Sequence, residues 1–155
     1  MRNYCRKNGF TLIEVLIVVV IMAVLAATII PQFTSSSDDA QEAAAAYNLH
    51  TFRSQIQLYR TEHAGGYPTI ANDADGQPSL PQLYSSTNSA GTIGTGASFP
   101  LGPYMISIPN NPYDNKNYIE EATDWPPTAA TANGGWLYYP PTGQITLNTA
   151  GHLND

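Results

Sequence analysis

FTLIEVLIVVVIMAVLAATII, residues 10–30, decides how the rest of the chain is read. Its only charged side chain is Glu14. As a helix the segment is ~31 Å long, about the thickness of a bilayer's hydrocarbon core. Arg2, Arg6 and Lys7 all precede it. Cations on that flank keep the N-terminus cytoplasmic, so the residues after the span cross the membrane. Two ordinary explanations compete: a secretory signal peptide and a plain signal anchor. A signal peptide expects cleavage at small residues after the apolar run. Ala26, Ala27 and Thr28 are small, but Ile29, Ile30 and Pro31 follow, and the run is long for that purpose. Glu14 argues against both, because a carboxylate within an apolar span is costly unless something compensates it. Cleavage between Gly9 and Phe10 supplies the compensation. It creates an ammonium one helical turn from Glu14, available to the same chain or to a neighbour in a packed helical bundle.

The chain has 155 residues, room for one modest domain, and a formal net charge of −6. Beyond Gly9 only Arg53, Arg60 and Lys116 oppose all 12 acidic residues, leaving −9. Such a surface repels phosphate backbones, so no unaided nucleic-acid binding is expected. Cys5 is the single cysteine, so no internal disulfide forms. It precedes the apolar run, whereas a lipid-carrying cysteine would follow it.

Pro31 ends the apolar run. It lacks a backbone N–H and crowds the carbonyl of Ala27, which predicts a kink there in preference to a complete stop. TSSSDDAQEAAAAYNLHTFRSQIQLYRTEH, residues 34–63, reads as helix again, with Ser36 or Ser37 as cap and Asp38, Asp39 and Glu42 suited to the N-terminal dipole. Ala45, Leu49, Phe52, Ile56 and Tyr59 recur at steps of four and three, one amphipathic face that should pack on a sheet. His63-Ala64-Gly65-Gly66 supplies the stop.

From Tyr67 onward the texture changes: 11 of the 12 prolines lie there, among frequent Gly, Ser, Thr and Asn. Residues 85–98 read as a surface loop and Leu80–Tyr84 as a short helical turn. Tyr104–Ile108 reads as a strand ended by Pro109. Trp136–Tyr139 and Gln144–Asn148 flank Pro140-Pro141-Thr142-Gly143, a hairpin. The expected fold class is α+β: a long N-terminal helix packed on a small antiparallel sheet with long loops. Its segments are a leader (1–9), an apolar span (10–30), an amphipathic helical half (31–66) and a loop-rich β head (67–155).

KNGFTLIEVLIVVVIMAVLAATIIPQF resembles the class III signal of the type IV filament superfamily, which contains type IV pilins and the pseudopilins of type II secretion and competence. The resemblance implies a pilin-like fold and a membrane prepilin peptidase that cuts after Gly9 and methylates the amine of Phe10. It implies that Glu14, fifth in the mature chain, sets axial register during assembly, and that Pro31 ends the buried half of the long helix. GPYMISIPNNPYDN (102–115) is similar to the strand and proline-rich turn of major type II secretion pseudopilins, and GGWLYYPPTGQITLN (134–148) resembles the closing hairpin of pseudopilin-like proteins. The mature chain has no cysteine, whereas many adhesive pilins close a C-terminal loop with a disulfide. The expected identity is therefore a non-enzymatic subunit of a type II secretion pseudopilus in the bacterial inner membrane, with its head in the periplasm or outside. Its partners would be copies of itself, minor pseudopilins, the peptidase and an inner-membrane assembly platform. The alternatives are a pilus or competence subunit, and a monomeric signal-anchored binding module.

Major secretion pseudopilins bind calcium in their C-terminal loops, an ion that wants six to eight hard oxygens. Glu120, Glu121 and Asp124 are the candidate ligands here. The acidic Gly-rich loop of that family is not recognisable, and adjacent glutamates on a strand point apart, so a solvated acidic loop is the preferred reading. Asp73-Ala74-Asp75-Gly76 lacks EF-hand spacing. His50, His63 and His152 lack zinc spacing, and no nucleophile elbow or phosphate-binding loop is present.

Overall fold

The computed structural model describes residues 9–153; the basic residues Arg2, Arg6 and Lys7, together with Cys5, lie outside the described residues. The chain divides into two compact units, Met1–Ala40 and Gln41–Asp155. The first helix, α1, runs Leu12–Glu62 and contributes to both.

Between Val15 and Ile30 α1 is apolar on every side. Leu12–Ile30 has a mean hydropathy of 3.0 and none of it is buried. Nineteen residues rise ~28 Å, one bilayer core. A helix that is hydrophobic all round is stable in lipid or against other apolar helices, not in water. Pro31 lies within the bounds of α1, so the complete stop does not occur. No new helix begins at Ser36 or Ser37 either, which removes the expected cap: the turn preceding them already accepts their N–H groups.

In the second unit the amphipathic stripe is the core. Ala45, Leu49, Phe52, Ile56 and Tyr59 are all buried, with Phe52 and Ile56 at 0 % exposure. The helix ends where the sequence says it should. Ala64 and Gly65 take positive φ, and the Gly65 N–H returns to the Arg60 carbonyl at 2.9 Å.

Two short strands follow, β1 (Ala71–Asn72) and β2 (Pro78–Ser79), paired antiparallel. Asp73 closes the turn between them: its Oδ1 accepts the N–H groups of Asp75 and Gln77, each at 2.9 Å. Pro81 opens the one-turn helix α2 (Pro81–Tyr84), where a missing N–H does no harm. The main sheet has three strands in the order β3 (Ile119–Glu121), β4 (Trp136–Tyr139), β5 (Gln144–Leu147). β4 and β5 form the expected hairpin, Trp136 opposite Leu147. β3 is an addition to the sequence reading, and it joins β4 in parallel.

Both faces of the sheet are covered. Trp136 and Tyr138 pack into the core that contains the α1 stripe, Leu80, Leu83, Ile145 and Leu147. Leu137 points the other way and is 1 % exposed, beneath a loop that includes Ala122 and Pro127. The Trp136 ring meets Phe52 edge to face at 5.0 Å, and its Nε1–H donates to the Pro109 carbonyl at 2.9 Å. Gly135 precedes it with φ +78°, and a Cβ there would lie 2.4 Å from the Tyr118 carbonyl oxygen, so only glycine fits between β3 and β4.

Tyr104–Ile108 is not a strand. Pro103 and Pro109 bracket it and cannot donate to a ladder. The N–H groups of Tyr104 and Met105 both go to one acceptor, the Leu83 carbonyl, at 2.8 Å each. Buried amides hold the remaining loops. Asn111 donates to the Gly135 carbonyl at 2.7 Å and to Thr149 Oγ1 at 2.9 Å. Asn148 donates to Thr131 Oγ1 at 2.6 Å and to the Gly134 carbonyl at 2.9 Å. Among the described residues every buried polar side-chain atom has a partner.

Candidate functional site

Gly9, Phe10 and Thr11 precede α1 in non-helical backbone, and Phe10 is 83 % exposed. A Cβ at Gly9 would meet nothing within 4 Å. The Gly9–Phe10 bond therefore lies in accessible chain outside any helix, as a peptide bond must to enter a protease.

Glu14 is in the first turn of α1. Its Oε2 accepts the Thr11 backbone N–H at 2.8 Å and the Thr11 hydroxyl at 2.7 Å. The Glu14 N–H in turn donates to Thr11 Oγ1 at 3.3 Å. This is a capping box, with Thr11 as N-cap and Glu14 at the third helical position, each satisfying a backbone donor that the helix leaves open. The macrodipole also favours an anion at this end. The geometry directs the Glu14 carboxylate back to Thr11, and cleavage would place a new amine one residue before it. Thr11 is the residue of the candidate site that the sequence reading missed. The Thr-x-x-Glu pattern at the head of an apolar run was the signal that would have found it.

The acidic loop is a different arrangement. Both carboxylate oxygens of Glu120 are taken, one by the Thr131 hydroxyl and one by the Asn133 amide. Glu120 thereby ties the 131–133 loop to β3. Glu121 and Asp124, by contrast, line one groove together with Thr123, Thr128 and Thr131. The structure thus places Glu121 and Asp124 in one groove, while Glu120 is committed to Thr131 on its edge and to Asn133. Among the described residues no three His, Cys, Asp or Glu side chains converge as metal ligands.

The aromatic end of α1 is a packed network. The ring of His63 stacks on Tyr59 at 3.7 Å. One His63 nitrogen faces the Tyr59 carbonyl at 2.8 Å, the other Thr87 Oγ1 at 3.0 Å, so the ring is fully engaged. The Tyr104 hydroxyl donates to Glu62 Oε2 at 2.6 Å. Burial first, and then the Glu62 carboxylate holding its proton, push the Tyr104 phenol well above its ordinary range. Burial does the same to Tyr138, whose hydroxyl donates to the Pro68 carbonyl at 2.9 Å.

No curated protein and no solved structure matches the chain. Residues 4–30 match the family described as the prokaryotic N-terminal methylation motif, a span that takes in the Gly9–Phe10 bond, the Thr11–Glu14 box and the apolar stretch of α1. The chain thus carries a prokaryotic N-terminal methylation motif, the motif of type IV pilin-like prepilins, on a helix long and apolar enough to cross a membrane.

Proposed function

We propose that the chain is a structural subunit of a type II secretion pseudopilus. A membrane prepilin peptidase cuts between Gly9 and Phe10 and methylates the Phe10 amine. Residues 10–30 hold the precursor in the bacterial inner membrane, N-terminus cytoplasmic and head beyond. An assembly platform then extracts the mature chain into a polymer of itself and minor pseudopilins that helps export folded proteins. The observation that carries this reading is the Glu14 carboxylate, held by Thr11 at the start of a helix that is apolar on every side. An acid in that setting is tolerable where an ammonium meets it, and the cleaved Phe10 amine is the nearest source. The cysteine-free mature chain and the head segments 102–115 and 134–148 favour the secretion role over an adhesive pilus.

Deleting the gene should abolish release of folded exoproteins into the medium and leave them in the periplasm. Unchanged export, with loss of surface motility or DNA uptake instead, would move the chain to the pilus or competence reading.

A further inference from the structure

Ile106 is 99 % exposed. Its neighbours Tyr104 and Met105 pack on the core, and Ile108 is buried. A single exposed isoleucine is ordinary on a protein surface. Charge sets this one apart. Residues 76–113 are 38 consecutive positions without Asp, Glu, Lys, Arg or His, in a chain of net charge −6. Between two copies of an acidic protein, such a stretch is where surfaces meet without like-charge repulsion.

The same unit offers a matching recess. A groove of about 270 Å³ runs along α1, formed by Ala45, Ala46, Leu49 and Tyr113. Its rim carries both signs, Glu42 against Arg53, with His50 beside them. The Arg53 guanidinium donates to the Ile145 carbonyl at 3.2 Å, which holds it at the rim.

Knob and groove are displaced along one axis. Tyr104 is pinned to Glu62, and the Asn48 amide donates to the Asn110 carbonyl at 3.4 Å. Segment 104–110 therefore runs antiparallel to α1, with Ile106 nearer the Glu62 end. Interpolating between the pins puts Ile106 roughly 15 Å along the axis from the groove's centre. The two cannot meet within one copy. A meeting between copies would be head to tail, a heterologous contact that leaves a knob at one end and a groove at the other and so continues indefinitely.

We infer that Ile106 of one copy seats in the Ala45–Leu49–Tyr113 groove of the next copy along the filament. One side chain and its loop bury far less than the ~1,200–2,000 Å² of a stable interface. The occupant is therefore a second copy already held by the apolar helices, and the inference rests on the filament reading.

The test uses the full-length chain with Ala46→Cys and Ile106→Cys together. Cys5 is the only native cysteine and leaves with the leader, so the mature variant has just these two thiols. Filaments treated with a short bismaleimide should give a ladder of dimers, trimers and higher multimers on a denaturing gel, and each single-cysteine variant none. Intact filaments without a ladder, or dimers from Ile106→Cys alone, overturn the contact and leave the filament reading standing. Absence of filaments from the parent chain removes both. Ile106→Ser, at a site that contributes nothing to the core, should raise the concentration needed for assembly roughly tenfold, the transfer free energy of one isoleucine, with processed monomer unchanged. An unaltered assembly threshold overturns the inference.

Discussion

Glu14→Ala is expected to insert in the membrane and be cleaved after Gly9 as the parent is, and to lose filament yield on the order of tenfold or more. That is the scale on which truncating one partner of a desolvated charge pair acts, because the other charge is left unpaired. The substitution also removes the acceptor for the Thr11 N–H and hydroxyl. Glu14→Gln separates the two effects. Glutamine at the third helical position keeps the capping box but carries no charge. If the ammonium–carboxylate pair drives assembly, Gln fails as Ala does. If Gln assembles normally while Ala does not, the cap is what matters and the charge pairing is wrong. Electron microscopy of sheared filaments, with immunoblots of processed subunit as the control, reads both.

Trp136→Ala should strongly destabilise the head. The ring is fully buried, packs edge to face on Phe52, and donates to the Pro109 carbonyl. Large aromatic to alanine changes in a core cost about 3–5 kcal/mol, and the orphaned carbonyl adds to that. Against a typical total of about 5–15 kcal/mol for a domain, that is a large share. Thermal melts of the mature chain in detergent, followed by near-ultraviolet circular dichroism, should fall by on the order of 10 °C. A midpoint within a degree or two of the parent would mean that the α1–β4 contact is not the centre of the core.

The parts legible in the sequence were those with a period or a local rule. The stripe Ala45, Leu49, Phe52, Ile56, Tyr59 follows the helical repeat, and all five side chains are buried. The β4–β5 hairpin announced itself through aromatic and β-branched runs around a Pro-Pro-Thr-Gly turn. Other features depend on partners far along the chain. β3 contains two glutamates in three residues and exists because β4 supplies its hydrogen bonds. Tyr104–Ile108 has strand composition but is bracketed by prolines, and its first donors turn to Leu83. Ser36 and Ser37 are good caps with no helix start to cap, because both lie well inside α1, which runs Leu12–Glu62. At the candidate site, Gly9, Phe10 and Glu14 stood out by charge and position. Thr11 carries no charge and does not interrupt the apolar run, so its hold on Glu14 shows in the hydrogen bonds between them.

The central claim is that the apolar helix begins its mature life with a free amine beside the Glu14 carboxylate. Intact-mass and N-terminal peptide mass spectrometry of protein extracted from membranes measures that directly. The account predicts a mature chain whose first residue is Phe10 with a methyl group on its nitrogen. A chain that retains residues 1–9, or one that begins after Ala27, would contradict it.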